Sequence, residues 1–245
     1  LPIEESHLRD ILGGVEQRKH ADSRGESGAA VGVVEPFKRG GADIEVGRIV
    51  NDGHQSVPGL VDHALDQLEA IAQALNPKTR LMILNTPHNP SGTVWTDEEM
   101  RQLEALLAPT NTLLVSDEVY EHMGYDGRRH VSAWELPVLR ERAWIVSSFG
   151  KTYHVTGWKV GYVLAPAAWT AELRKVHQFN VFTVNTPMQV GLARFMADPA
   201  PHEGLSAFYQ AKRDHLVAGL RGLPVEVLPC EGTYFLTVNY QQISD

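Results

Sequence analysis

Cysteine is almost absent from this chain: Cys230 is the only one among 245 residues. An internal disulfide is therefore excluded, and the composition fits a reducing compartment, so we expect a cytoplasmic protein. The sequence also has no run of about 18 apolar residues and no basic segment followed by an apolar stretch at its start. We therefore expect neither a transmembrane helix, nor a secretory signal, nor a membrane partner.

Basic residues are too few for a protein that binds polyanions. The chain has 22 Lys and Arg against 30 Asp and Glu, and its net charge is −8. A nucleic-acid partner requires a basic face, so none is predicted. The 11 histidines show no ligand spacing joined to cysteines or carboxylates, and we therefore predict no metal site.

Aromatic residues are missing from the first third of the chain. Phe37 is the only aromatic in the first 80 positions, and ten of the 21 glycines lie before residue 66. A segment of this composition forms a core poorly, although the apolar stretch 29–34 has the character of a strand. We assign no fold to residues 1–66, and the abrupt shift suggests that an unrelated or out-of-frame segment is joined near residue 66.

From about residue 66 the sequence alternates between helical and strand patterns. Apolar residues at helical spacing over 65–75 predict a helix that Asn76-Pro77 ends, and Thr96 with Glu99 has the spacing of a capping box at the start of another. Short apolar runs typical of buried parallel strands occupy 81–84, 112–116 and 144–147. This alternation predicts an α/β fold, a mostly parallel sheet with helices on both faces.

Polar side chains follow each of these three strands. Asn89, Asp117 and Lys151 come after the first, second and third strand, at the edge where parallel sheets collect their chemistry. A lysine that attacks an aldehyde must do so as the free amine. A carboxylate directly after an apolar strand is costly unless it is paired, and a protonated pyridine nitrogen would pair with it. Tyr120 is close enough to address the same ligand.

Four motifs occur in an order that resembles the class I/II, fold-type I aminotransferases, especially the methionine, glutamine–phenylpyruvate and kynurenine aminotransferase branch. They are Asn-Thr-Pro-His-Asn-Pro-Ser-Gly at 85–92, Ser-Asp-Glu-Val-Tyr at 116–120, Ser-Phe-Gly-Lys at 148–151 and Thr-Gly-Trp-Lys-Val-Gly-Tyr at 156–162. The spacing also matches: 28 residues from Asn89 to Asp117, 34 from there to Lys151, and eight more to Lys159. The resemblance covers about residues 67–245.

The resemblance implies pyridoxal 5′-phosphate as the cofactor and a role for each matching residue. Lys151 would form the Schiff base with the cofactor and then move the proton of the 1,3-shift. Asp117 would bind the pyridine nitrogen, and Asn89 and Tyr120 the phenolic oxygen, with Asn89 also helping to hold the substrate carboxylate. Ser148 and Lys159 would bind the phosphate. The implied substrates are an amino acid, of methionine or aromatic type, and a 2-oxo acid, and the implied assembly is a homodimer.

The resemblance also implies a domain division and missing parts. Residues 67–204 would be a partial cofactor-binding large domain. Residues 205–245 would be a connector helix at 205–220 and the first strands, at 225–228 and 234–238, of a small C-terminal domain. The family's arginine for the substrate α-carboxylate lies further on, and no arginine follows Arg221. We therefore expect a chain that is truncated at both ends.

Alternatives stay open at this stage. The same fold and lysine also support β-elimination, so a carbon–sulfur lyase is one rival, and a catalytically inactive truncated remnant is another. Each site residue also has an ordinary structural interpretation: a surface lysine for Lys151 or Lys159, a helix cap for Asp117, core packing for Tyr120 and a bond to backbone for Ser148.

Overall fold

The computed structural model describes residues 29–30, 63–198 and 200–243. Most of the segment 1–66, including Phe37, the apolar residues 31–34 and the proposed junction near residue 66 on its amino side, lies outside these ranges. Within the described ranges no helix is both long and apolar enough to cross a membrane.

The elements that form the sheet and pack on it lie at residues 29–30 and 63–164. They are β1 (Ala29–Ala30), α1 (His63–Ala74), β2 (Leu81–Asn85), α2 (Asp97–Leu107), β3 (Leu113–Asp117), a 3-10 turn (Ala133–Glu135), α3 (Pro137–Arg140), β4 (Ala143–Ser148), α4 (Phe149–Thr152), a second 3-10 turn (Thr156–Trp158) and β5 (Gly161–Leu164). The predicted helix at 65–75 and the three predicted strands are all present within two residues of their expected bounds.

The part that follows is mainly helical. Its elements are α5 (Ala167–Asn180), α6 (Thr186–Phe195), α7 (Ala200–Glu203), α8 (Leu205–Leu220), β6 (Glu226–Val227) and β7 (Val238–Asn239). The predicted connector helix has the bounds of α8.

The described sheet has the strand order β1-β5-β4-β3-β2. Strands β2, β3 and β4 are mutually parallel, whereas β5 runs antiparallel to β4 and β1 antiparallel to β5. The register pairs Asn85 at the end of β2 with Asp117 at the end of β3. The expected α/β class and the mostly parallel sheet are confirmed, and the polar residues after β2, β3 and β4 meet at one edge.

The main core lies between the sheet and helices α1, α2 and α3. Leu103 and Leu107 of α2, Leu114 of β3 and Leu139 of α3 are completely buried in it. Each such side chain contributes about 1.5–3 kcal/mol to folding by leaving water. The buried residues Met100, Leu103 and Leu107 of α2 therefore form the surface that fixes the helix on the sheet.

The start of α2 shows the predicted capping box. Thr96 Oγ1 accepts a hydrogen bond from the Glu99 N–H at 3.3 Å, and the Glu99 carboxylate accepts one from the Thr96 N–H at 2.5 Å. Two otherwise unpaired donors of the first turn are satisfied in this way.

The C-terminal strands are shorter than predicted. The expected strand at 225–228 is reduced to Glu226–Val227, and the expected strand at 234–238 is replaced by a turn that precedes Val238–Asn239. The cause is Thr233, whose φ of 66° is left-handed and whose Oγ1 accepts the Phe235 N–H at 3.2 Å. A period-two pattern of apolar residues does not reveal a backbone reversal of this kind.

Candidate active site

The loops after β2 and β3 are tied together at the carboxyl edge of the sheet. The Asn85 side chain donates to the Asp117 carbonyl oxygen at 3.0 Å, and its Oδ1 accepts the Asn89 N–H at 2.9 Å. The Thr86 N–H also donates to the Asp117 carbonyl at 3.0 Å. Asn85 therefore fixes the backbone of Asn89 relative to Asp117.

Asp117 carries a carboxylate that is mostly buried and lacks a strong cationic partner. It accepts the Val119 N–H at 3.2 Å, and among the described residues no lysine or arginine forms an ion pair with it. Burial raises the pKa of Asp117; the Val119 hydrogen bond opposes this, the charge of Glu118 adds to it, and Lys151 opposes it weakly. The site favours a proton or a cation at this position.

Tyr120 presents its phenol to the same space. The side chain is 2% exposed, and its ring packs edge-on against Tyr234 and Phe235, with centroid distances of 5.3 and 5.9 Å. Burial raises the pKa of Tyr120, the hydrogen bond and charge interaction with Tyr234 raise it further, and a hydrogen bond from Asn89 opposes the rise. The phenol therefore stays protonated and can donate a hydrogen bond.

Lys151 lies on the short helix α4, directly after β4. Gly150 is needed there because a Cβ at this residue would lie 2.8 Å from the Thr156 Cα. The Lys151 Nζ donates to the Tyr234 hydroxyl at 2.7 Å and lies 5.7 Å from the centroid of the Tyr120 ring. The amine thus sits among tyrosines, with the Asp117 charge close enough to interact with it.

Ser148 and Lys159 occupy the segment around Lys151 without joining this group. The Ser148 hydroxyl accepts the Gly150 N–H at 3.0 Å and donates to the Val160 carbonyl at 3.3 Å, so both of its bonds go to backbone. Lys159 is exposed, has φ 56° and ends the second 3-10 turn. Among the described residues none makes a hydrogen bond or ion pair with its ammonium group.

Two neighbours of the site were not identified from the sequence. Tyr234 touches Lys151 from 83 residues further along the chain, and no local pattern signals that contact. Glu118 is fully buried next to Asp117 and accepts bonds from Ser116, the Ala133 N–H and His130 at 2.9, 3.0 and 2.8 Å. Because a carboxylate directly after a buried strand needs hydrogen-bond donors, the sequence position of Glu118 could have predicted a buried, hydrogen-bonded glutamate here.

The arrangement of Asn89, Asp117, Tyr120 and Lys151 suits an aromatic aldehyde with a basic ring nitrogen. Asp117 needs a positive partner, Tyr120 offers a neutral donor, and Lys151 supplies a primary amine. A metal ion would need a different set of ligands, and in the described part of the chain no group of three or more His, Cys, Asp or Glu could hold one. The residues present therefore fit pyridoxal phosphate.

Comparison with known proteins gives a family match over most of the chain. The family model described as "Aminotransferase class I and II" matches residues 60–244. This match begins slightly before the onset near residue 67 that the motifs alone suggested.

The curated relatives are aminotransferases. Methionine aminotransferase of Escherichia coli K12 is 52% identical over 177 residues, which cover 72% of this chain and 46% of the relative. Kynurenine–oxoglutarate transaminase of Dictyostelium discoideum is 38% identical, over 69% of this chain and 40% of the relative. The chain thus spans somewhat less than half the length of these relatives.

Solved structures agree with the sequence comparison. The crystal structure of an Escherichia coli protein identified as a methionine aminotransferase superposes with a TM-score of 0.70 at 51% identity, over 73% of this chain and 47% of that one. N-succinyldiaminopimelate aminotransferase from Mycobacterium tuberculosis gives a TM-score of 0.69 at 32% identity, with 71% and 46% covered. At these identities the likeness extends beyond the fold.

Proposed function

Because the chain belongs to the class I and II aminotransferases, we propose that Lys151 holds pyridoxal 5′-phosphate in a protein that transfers an amino group from an amino acid to a 2-oxo acid. The family depends on this cofactor. Methionine or an aromatic amino acid is the proposed donor, from the similarity to methionine and kynurenine aminotransferases. The observation that carries the proposal is a primary amine, Lys151, near a partly buried carboxylate, Asp117, with which no described lysine or arginine forms an ion pair.

When bound, pyridoxal phosphate supplies an aldehyde that condenses with amines and a ring that accepts electrons from the substrate α-carbon. The Asp117 carboxylate would hold the proton on the ring nitrogen, and its partial burial without another cation favours that proton. Tyr120 and Asn89 would donate hydrogen bonds to the phenolic oxygen, since the Tyr120 phenol stays protonated.

Lys151 carries out the proton transfer. Its free Nζ would act first as the base that takes the proton from the substrate α-carbon and then as the acid that completes the 1,3-proton shift. Asn89 positions the substrate carboxylate from the loop that Asn85 fixes. Lys159 provides positive charge for the phosphate, and Ser148 provides a hydroxyl for it by exchanging its bond to the Val160 carbonyl.

The domain division and the assembly are part of the same proposal. Residues 67–204 form part of the cofactor domain, residues 205–245 begin the small domain, and two copies of the protein form a homodimer in the cytoplasm. Exposed aromatic and aliphatic side chains on and after α5 support an interface: Val176, Phe179 and Phe182 are 60%, 87% and 77% exposed. The single cysteine supports the location.

A single-turnover assay tests the proposed activity. The chain is loaded with pyridoxal phosphate and mixed with methionine, and the 2-oxo acid formed is measured with and without a 2-oxo acid acceptor. We expect one equivalent of 2-oxo acid per chain without the acceptor and continued formation of 2-oxo acid with the acceptor. The Lys151→Ala variant should form no 2-oxo acid under either condition. Continued keto-acid and thiol release without acceptor would contradict amino-group transfer, because β- or γ-elimination needs no acceptor.

A further inference from the structure

Tyr234 is the residue of the described chain that holds the Lys151 amine. Its hydroxyl accepts the Nζ hydrogen bond at 2.7 Å, and the Nζ lies 5.4 Å from the centroid of its ring. The Tyr234 ring contacts Tyr120 edge-on at 5.3 Å and Tyr209 at 5.7 Å. The hydrogen bond to the Tyr234 hydroxyl therefore connects the Lys151 amine to the C-terminal part of the chain.

A strained and buried turn aims Tyr234 at the amine. Thr233 is 0% exposed and has φ 66°, a conformation that is unfavourable for a β-branched residue. Its N–H donates to the Met123 carbonyl at 2.9 Å, and its own carbonyl accepts the Tyr125 hydroxyl. A strained backbone that persists inside such a frame points to a functional constraint at the neighbouring side chain.

The residues before Thr233 complete the frame. A Cβ at Gly232 would lie 2.7 Å from the Met123 carbonyl oxygen, so this approach requires glycine. The Glu231 N–H donates to the Gly92 carbonyl at 2.9 Å, its carboxylate accepts the Val94 N–H at 3.0 Å, and it pairs with Arg128 at 2.6 Å. The turn is thus fixed to the loops that follow β2 and β3.

Tyr234 also links Lys151 to Tyr120. The Tyr120 phenol interacts with both Tyr234, which raises its pKa, and Asn89, which lowers it, and the Tyr234 hydroxyl accepts the hydrogen bond from the Lys151 amine. The groups with charge or titratable protons that face the amine are Asp117, Tyr120 and Tyr234. A lysine side chain has several rotatable bonds, and this contact restricts them before the cofactor binds, so less conformational entropy is lost on binding.

We infer that Tyr234 is a positioning residue for Lys151: its hydroxyl holds the free amine toward Tyr120 and Asp117 whenever the amine is not bonded to the cofactor. This inference rests on the proposed function, in which Lys151 is the residue that binds pyridoxal phosphate. The hydrogen bond fixes the direction of the Nζ, so a reagent that approaches from elsewhere meets a poorly oriented amine, whereas the same orientation favours attack on an aldehyde bound between Asp117 and Tyr120.

Tyr234→Phe tests the inference because it removes the hydroxyl and keeps the ring. Two rates are measured at Lys151 by peptide mass spectrometry: acetylation of the cofactor-free chain by trace acetic anhydride, and capture of pyridoxal phosphate trapped with borohydride. We expect acetylation to rise and capture to fall, each about three- to tenfold. Lys78 reports on general lysine reactivity, and Tyr240→Phe, at a side chain that is 60% exposed, is the matched control.

The two rates move in opposite directions only if the hydroxyl orients the amine in an intact fold, which a thermal melt verifies. Thr233→Gly is a second variant, because glycine adopts φ 66° without strain and loosens the turn; we expect the same pair of changes, smaller in size. Tyr234→Leu removes the ring as well.

The inference is overturned if Tyr234→Phe matches the wild type in both rates and only Tyr234→Leu differs, since packing of the ring would then account for the contact. The proposed function can fail separately. If the acetylation rate rises in Tyr234→Phe but the wild type captures no pyridoxal phosphate at Lys151, the contact stands and the cofactor assignment does not.

Discussion

At the scale of single residues, the ionised carboxylate of Asp117 destabilises the folded, cofactor-free chain. The folded chain raises the pKa of Asp117 above its ordinary value of 3.8, mainly through burial. The folded state therefore binds this proton more tightly than the unfolded state does. The contribution of Asp117 to stability is greatest below the ordinary pKa and is lost as the pH rises through the raised value. At neutral pH Asp117 is ionised, and the cofactor-free folded chain is destabilised by the full free energy of placing that charge in the site.

Asp117→Asn is expected to change stability and cofactor binding in opposite directions. It should increase the free energy of unfolding of the cofactor-free chain at pH 7, and the gain should vanish as the pH falls below the ordinary pKa. It should weaken pyridoxal phosphate binding about tenfold or more, because a charged partner of the ring nitrogen is lost. Urea titrations across this pH range check the first expectation. A gain that is equal at every pH, or one that the exposed Asp214→Asn control shares, would contradict it.

Most of the candidate site was predictable at this scale, for a physical reason. Asn89, Asp117 and Lys151 each follow a buried strand, and the ends of parallel strands meet, so three local patterns imply one cluster. Tyr234 was not predictable in the same way. Its position depends on the left-handed turn at Thr233, whose frame comes from Met123 and Tyr125, more than a hundred residues earlier in the chain.

At the scale of secondary-structure elements, α2 depends on its capping box. We expect Thr96→Ala to lower the free energy of unfolding by about 1 kcal/mol, because the Glu99 N–H loses its acceptor at the helix start. Chemical denaturation measures the change. Glu98→Ala in the same exposed turn is the control, and its cost should stay below about 0.5 kcal/mol. Equal costs for the two variants would show that the cap adds nothing to α2.

Elements with a strong local pattern were predictable, and those set by distant contacts were not. The capping box of α2 forms as its local pattern predicts, and helix α8 has the bounds that the family resemblance implied. The strand expected at 234–238 fails because the Phe235 N–H bonds to Thr233 Oγ1 rather than to a neighbouring strand. The Cys230 thiol also donates a hydrogen bond to the Phe235 carbonyl oxygen at 3.0 Å, so a second backbone group of the expected strand is unavailable for pairing with a neighbouring strand.

At the scale of the whole molecule, the apolar patch formed by Val176, Phe179 and Phe182 predicts self-association. Phe179 is 87% exposed, and burying such a ring in a symmetric interface is typical of a strong contact. We expect Phe179→Asp to weaken the dimer about tenfold or more, as measured by sedimentation equilibrium. Leu223→Asp, at a side chain that is 53% exposed on the turn after α8, should leave the association unchanged. A wild-type chain that is monomeric at all concentrations would contradict the proposed dimer.

The family and the fold of the matched region followed from four ordered motifs, and the comparisons confirm both. The substrate did not follow, because specificity depends on the walls of the pocket, which the four motifs do not encode.

The central claim is that Lys151 is the lysine that binds pyridoxal phosphate, and borohydride trapping tests it most directly. The chain is incubated with a slight excess of the cofactor, reduced and digested, and every lysine peptide is quantified by mass spectrometry. The account predicts that the cofactor is found on Lys151 at close to one equivalent, and that this label disappears in Lys151→Ala without moving elsewhere. A label spread evenly over exposed lysines such as Lys78, Lys175 and Lys212, with Lys151 not enriched, would contradict it.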